Sequence, residues 1–135
     1  MDIKTRFQHA DFLAEQYENF VDFAEDGMAF LGFDLTWMQA DIAEYMQSGP
    51  RLRIVMAQRG EAKSTLAALY AVWRIIQRPS TRVLIISGGE KQALEVVNFI
   101  VRLIQTWDIL ECLRPDRQAG DRTSIEAFDV HYALK

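Results

Sequence analysis

Apolar positions recur at three- and four-residue spacing along four stretches of the chain, the period of helices that bury one face. From His9 to Glu25 the repeat carries Phe12, Leu13, Tyr17, Phe20, Val21 and Ala24, with acids and glutamine on the other side. It predicts one amphipathic helix that stops near Gly27. A second helix is predicted from Thr36 to about Gln47, ended by Ser48-Gly49-Pro50. A third runs from about Lys63 to Gln77, with Leu66, Leu69, Tyr70, Trp73 and Ile76 on its apolar face and alanines that allow close packing. The fourth, from Glu90 to about Trp107, has a broad apolar face of Ala93, Val96, Val97, Ile100, Val101 and Ile104.

Two short runs are apolar without helical period. Residues 52–57 (LRIVMA) and 82–87 (RVLIIS) read as buried strands, the second broken by Ser87-Gly88-Gly89. Residues 111–124, with Pro115, Gly120 and several charges, read as a solvent loop, and 124–130 alternate weakly as if opening another strand. Strand–helix–strand–helix order with nearly continuous apolar strands predicts an α/β fold, a parallel sheet flanked by helices. Such sheets usually hold about five strands. Only two convincing ones are found, so the sheet is expected to be truncated, with its remainder beyond Lys135.

Composition narrows the function. The 135 residues are 50% hydrophobic with three prolines, enough for a sizeable core and neither disordered nor of low complexity. No apolar run reaches the roughly 18 residues of a membrane span, and the N-terminus lacks the pattern of a secretory signal. One cysteine, Cys112, and two distant histidines, His9 and His131, offer neither a disulfide nor a zinc site. A reducing cytoplasm is the expected compartment. The net charge of −4 argues against coating nucleic acid by bulk electrostatics, though not against touching DNA through one local face.

The chemistry-bearing segment is Ala57-Gln58-Arg59-Gly60-Glu61-Ala62-Lys63-Ser64-Thr65, between a predicted strand and a predicted helix. Backbone N–H groups at a helix N-terminus can converge on phosphate. Lys63 adds a full charge on the β/γ oxygens, and the Ser64 hydroxyl suits one position on Mg²⁺. The arrangement predicts a P-loop NTPase core that takes ATP and Mg²⁺. The usual G-x-x-x-x-G-K-[ST] pattern is imperfect here, with Ala57 and Ala62 at the glycine positions. The alternative is an ordinary strand-to-helix turn, with Gly60 at a positive φ, Lys63 in solvent and Ser64 as a cap.

AQRGEAKSTLAALYAVW resembles the Walker A segment of the large terminase subunits of tailed phages, in which Arg-Gly precedes Lys-Ser/Thr and alanine occurs before the lysine. The resemblance extends to LTWMQADIAEYM and RVLIISGGEKQALEVV, covers about residues 30–130, and is strongest to the short-tailed phage branch. It implies an ATP-driven motor that moves double-stranded DNA into a procapsid. The implied partners are a portal and a small terminase subunit, the implied assembly a ring-forming homo-oligomer in the host cytoplasm, and a nuclease domain lies outside this chain. Residues 1–35 would then be a helical lead-in and 36–135 the nucleotide-binding core. The resemblance also implies that Gln39 reads the adenine edge and that Arg59 orders the γ-phosphate. Thr36-Trp-Met-Gln39 is equally a helix-capping pattern, and Arg59 equally a solvated arginine beside Glu61.

Other groups carry less. Arg102 and Arg114 read as surface charges rather than arginine fingers. Ser87-Gly88-Gly89 either approaches DNA or simply ends a strand, and Asp22, Glu25 and Asp26 read as a solvated helix end. No apolar run ends in the acidic pair that holds Mg²⁺ and orients water for hydrolysis. Another P-loop ATPase, such as a helicase-like translocase, and a degenerate non-catalytic remnant stay open as alternative readings.

Overall fold

The computed structural model describes residues 1–51, 54, 63–124 and 126–135. Its regular elements are helices: α1 (Ile3–Gln16), α2 (Phe20–Phe30), α3 (Trp37–Ser48), α4 (Lys63–Gln77) and α5 (Glu90–Thr106), followed by 3-10 turns at Asp108–Leu113, Arg117–Ala119 and Tyr132–Leu134. α4 is the hub. It packs against α1, α2, α3 and α5, while the Asp108–Leu113 turn closes onto α1 and α5. Phe20, Phe23, Leu66, Leu69, Val72, Ile104, Leu110 and Leu113 form the buried centre.

The predicted α/β architecture, a P-loop NTPase sheet flanked by helices, is overturned: the described residues contain no strand. A strand exists only through the ladder to a neighbour, and residues 82–86 make no backbone hydrogen bond to another described residue. Ile85 leans on the core, and Leu84 and Ile86 stand in solvent, 81% and 83% exposed. The other predicted strand, 52–57, lies outside the described residues except for Ile54, which is exposed and in no strand. The third, 124–130, is reduced to a single antiparallel bridge between Thr123 and Phe128.

The helices at the N-terminus also depart from expectation. The repeat from His9 to Glu25 is split at Tyr17–Asn19 into α1 and α2. The Tyr17 carbonyl is taken by two side chains of α4, Trp73 and Gln77, and the first turn of α2 is capped from α3, where Gln47 Oε1 accepts from Phe20 N at 2.8 Å. Tertiary partners at both faces of the break thus replace the helical bonds that a continuous helix would make there. Gly27 does not stop α2. A Cβ on it would meet Leu69 Cδ2 at 2.7 Å, so glycine here lets α2 approach α4 closely. The stop is Gly32, at φ 90°. Gly32 N donates to Ala29 O and Phe33 N to Met28 O, the paired bonds of a Schellman C-cap.

The predicted helices at 36–47, 63–77 and 90–107 are present, within a residue or so at each end, as α3, α4 and α5. The predicted solvent loop 111–124 is partly core. Cys112 and Leu113 are buried, and so is Asp121, whose Oδ2 accepts from Asp116 N at 2.9 Å and Tyr132 N at 3.0 Å.

Candidate nucleotide-binding site

α4 enters the core within one turn of its start. Lys63 and Ser64 are exposed, Thr65 is half-buried, and Leu66 is fully buried against the core. The burial of Leu66, Leu69, Val72 and Trp73 along one face fixes the axis of the helix and so the direction in which its first amides point. No side-chain hydrogen bond or ion pair engages Lys63 or Ser64 among the described residues. The first amides of a helix have no intrahelical acceptor and carry the positive end of its dipole. α4 places no acid in that first turn, and Arg74 in its last turn complements the opposite end. Three of the sequence candidates, Lys63, Ser64 and Thr65, therefore share one helix start suited to an anion. Ala57, Gln58, Arg59, Gly60, Glu61 and Ala62 lie outside the described residues.

Gln39 sits on α3, which packs against α4, and is 5% exposed. It completes a capping box: Gln39 N donates to Thr36 Oγ1 at 3.1 Å and Thr36 N donates to Gln39 Oε1 at 3.0 Å. Its carbonyl oxygen is thus committed to the helix cap. Beside it, Trp37 and Phe33 stand 75% and 63% exposed, two aromatic faces that the sequence pattern did not single out.

The start of α5 contrasts with that of α4. Gly89 is its N-cap without a side-chain bond, Ser87 Oγ donates to Gln92 Oε1 at 3.0 Å, and Glu90 occupies the first turn. Glu90 already complements the helix dipole and opposes a second negative charge. Ser87-Gly88-Gly89 is therefore the poorer phosphate cradle of the two.

The remaining charged candidates have structural work or none. Arg114 Nε donates to Ile104 O at 2.9 Å and its Nη2 to Trp107 O at 3.3 Å, closing the C-terminal end of α5. Arg102 is exposed on α5. Asp26 accepts from Tyr17 Oη at 2.7 Å, which accounts for one member of the acidic group on α2. Among the described residues no cluster of His, Cys, Asp and Glu could hold a metal ion, and no helix is long and apolar enough to cross a membrane.

Comparison with known proteins gives one relationship. The chain is 30% identical over 96 residues, 70% of its length, to the large terminase subunit of Enterobacteria phage T3. It spans 16% of the length of that protein. No known family profile and no solved structure matches the chain. The relationship is terminase-like at the level of sequence.

Proposed function

We propose that this chain supplies a nucleotide-binding segment to a phage DNA-packaging terminase large subunit. The observation that carries the nucleotide part is Lys63 and Ser64, unengaged on the acid-free first turn of a helix anchored in the core. The sequence similarity to a terminase large subunit supports the biological setting. In this reading the amides at the start of α4 and Lys63 Nζ hold the β- and γ-phosphates of ATP. The Ser64 hydroxyl takes a place on Mg²⁺, which binds few protein oxygens and keeps several waters. Arg59 offers a guanidinium to the γ-phosphate. Gln39 presents its amide to the adenine edge.

In the intact protein, hydrolysis at this site would be coupled to moving double-stranded DNA into a procapsid, in a ring of like subunits working with a portal and a small subunit in the host cytoplasm. A second reading, a non-catalytic interaction domain, is favoured by one observation: residues 82–86 pair with no other described residue, with Leu84 and Ile86 in solvent.

Thermal stability separates the two. Ligand at about 100 times its Kd stabilises a fold by about 2.7 kcal/mol. The nucleotide reading expects a rise in Tm with saturating MgATP that disappears in Lys63→Ala. A chain whose Tm ignores MgATP, or whose shift survives Lys63→Ala, is the interaction domain instead.

A further inference from the structure

On the side of the molecule formed by α1 and the C-terminal turns, a pocket of about 760 Å³ opens between Asp2, Arg6, Asp116, Arg117 and His131. None of these residues belongs to the proposed nucleotide site. We propose that this pocket binds a phosphate-class oxyanion.

Its basic groups keep N–H donors to spare, and each of its acids has one oxygen bonded to backbone amides. Arg6 is anchored by Nη1, which donates to Cys112 O at 2.8 Å and reaches Glu111 O at 3.5 Å. Its Nε is buried without a partner, and Nη2 bonds to no protein group. A guanidinium fixed at Nη1 leaves Nη2 as the nitrogen that can take an acceptor in the pocket. Arg117 lines the same pocket, exposed and in no ion pair.

His131 is 5% exposed. Its Nδ1 accepts from Ala133 N at 3.1 Å, which leaves the ring proton on Nε2 as a donor. The two carboxylates face backbone amides: Asp2 Oδ1 accepts from Thr5 N at 2.7 Å, and Asp116 Oδ1 accepts from Gln118 N at 3.0 Å and Ala119 N at 3.4 Å. Three kinds of N–H donor therefore line the pocket, and one oxygen of each acid is already bonded to backbone. A tetrahedral oxyanion, with acceptor oxygens in several directions, matches that set.

The pocket walls are braced independently of any ligand. Buried Asp121 accepts from Asp116 N on one wall and Tyr132 N on the other, and Lys135 Nζ lies 3.8 Å from its Oδ1. The His131 ring stacks on Tyr132 at 4.5 Å between centroids. Little reorganisation is left for binding to require.

The phosphate could be a free anion or the backbone of a nucleic acid, and the two sources separate in one experiment. Inorganic phosphate, and separately a short DNA duplex, are titrated into the full chain while the ring protons of His131 are followed by NMR. The expected result is a saturable shift of His131 with phosphate, weakened about tenfold (about 1.4 kcal/mol) by Arg117→Ala and unchanged by Lys63→Ala. A duplex that shifts His131 with the same dependence on Arg117 assigns the anion to a nucleic-acid backbone. A duplex without effect assigns it to a free phosphate. Because Arg6 also braces the Asp108–Leu113 turn, Arg117→Ala, exposed and unpaired, is the deciding variant. No saturable shift with either probe overturns the proposal, as does phosphate binding that Arg117→Ala leaves intact and Lys63→Ala removes.

Discussion

Trp73 on α4 donates its indole Nε1–H to the carbonyl of Tyr17, just past the end of α1, at 2.6 Å. The same carbonyl accepts Gln77 Nε2 at 2.9 Å, and Gln77 Nε2 also reaches Ala14 O at 3.1 Å. The C-terminal carbonyls of a helix have no partner of their own, so α4 terminates α1 and fixes where the chain turns into α2. Phe20 rests against both Tyr70 and Trp73 at the same junction, with ring centroids 5.2 and 5.6 Å apart.

Trp73→Phe keeps an aromatic ring but removes the donor and some buried volume. It is expected to destabilise the fold by about 1–3 kcal/mol. Adding Gln77→Leu leaves the Tyr17 carbonyl without either donor, and the pair is expected to cost more than the sum of the single changes. Urea unfolding of the four chains checks this. Strict additivity would mean that the two donors do not compensate for each other.

The alkaline limb of stability follows from two protonated groups. Burial pushes the Cys112 thiol up from 9.0 to about 11. Burial, and then the hydrogen bond to Asp26, raise the Tyr17 phenol well above its ordinary 10.0. A folded state that holds protons the unfolded chain releases is most favoured below the unfolded pKa values. The contribution of these two groups should be level below pH 9 and fall from there as unfolded Cys112 ionises, more steeply past 10 as unfolded Tyr17 joins it. Tyr17→Phe should flatten the upper part of this decline in urea titrations, and Cys112→Ala the lower part. A slope unchanged in both variants contradicts the assignment.

Helix α3 tests the two roles of Gln39. Thr36→Ala removes the cap acceptor for Gln39 N and is expected to cost about 1 kcal/mol without altering any preference between nucleotides. Gln39→Glu keeps an acceptor for Thr36 N but loses the amide donor. If the amide also reads adenine, the ratio of ATP to GTP affinity falls towards one in Gln39→Glu while Thr36→Ala leaves it alone. Equal ratios in wild type and Gln39→Glu confine Gln39 to the cap.

The helices were legible wherever periodicity and punctuation agreed. Thr36 with Gln39 at the start of α3, the Lys63–Gln77 stripe and the Glu90–Thr106 stripe all fall where the apolar spacing put them. The break at Tyr17–Asn19 was not legible, because it depends on donors that arrive from α4 and α3, remote in sequence. Gly27 and Gly32 illustrate the same limit. Both are glycines near a helix end, and only packing against Leu69 and the φ of 90° tell a contact glycine from a stop. RVLIIS was misread as a strand because an apolar, β-branched run reports propensity, whereas a strand is defined by its pairing. Of the candidate site, Lys63, Ser64 and Thr65 are consecutive, and the start of the apolar stripe that follows puts them at the head of a helix. Arg6, Arg117 and His131 could not be brought together, since no local pattern links residues so far apart in the chain.

The segment 82–86 predicts a solubility effect separable from stability. Leu84 and Ile86 are more than four-fifths exposed, and their backbone groups pair with no other described residue, a surface that favours edge-to-edge association. Ile86→Lys should leave the unfolding free energy within about 0.5 kcal/mol and reduce concentration-dependent light scattering. A large loss of stability would show instead that Ile86 is buried in solution.

Catalysis by this chain alone is the most exacting test of the nucleotide proposal. Phosphoryl transfer to water needs groups that hold Mg²⁺ and orient the nucleophile in addition to those that bind phosphate. In the proposed site Lys63 serves the second purpose and Ser64 offers one oxygen to Mg²⁺, but Asp129 cannot supply the acid that the first requires. Arg122 holds both of its oxygens, with Nε 3.0 Å from Oδ2 and Nη2 3.2 Å from Oδ1, and Lys135 Nζ lies 3.4 Å from Oδ1. The hydrogen bonds from Arg122 keep that carboxylate well below the usual range, as an ion pair rather than a base. The 135-residue chain is therefore expected to bind MgATP without turning it over. A phosphate-release assay should show no rate above the Lys63→Ala background. Turnover that depends on Lys63 would place a catalytic acid within this chain, and alanine substitution of each carboxylate in turn would find it.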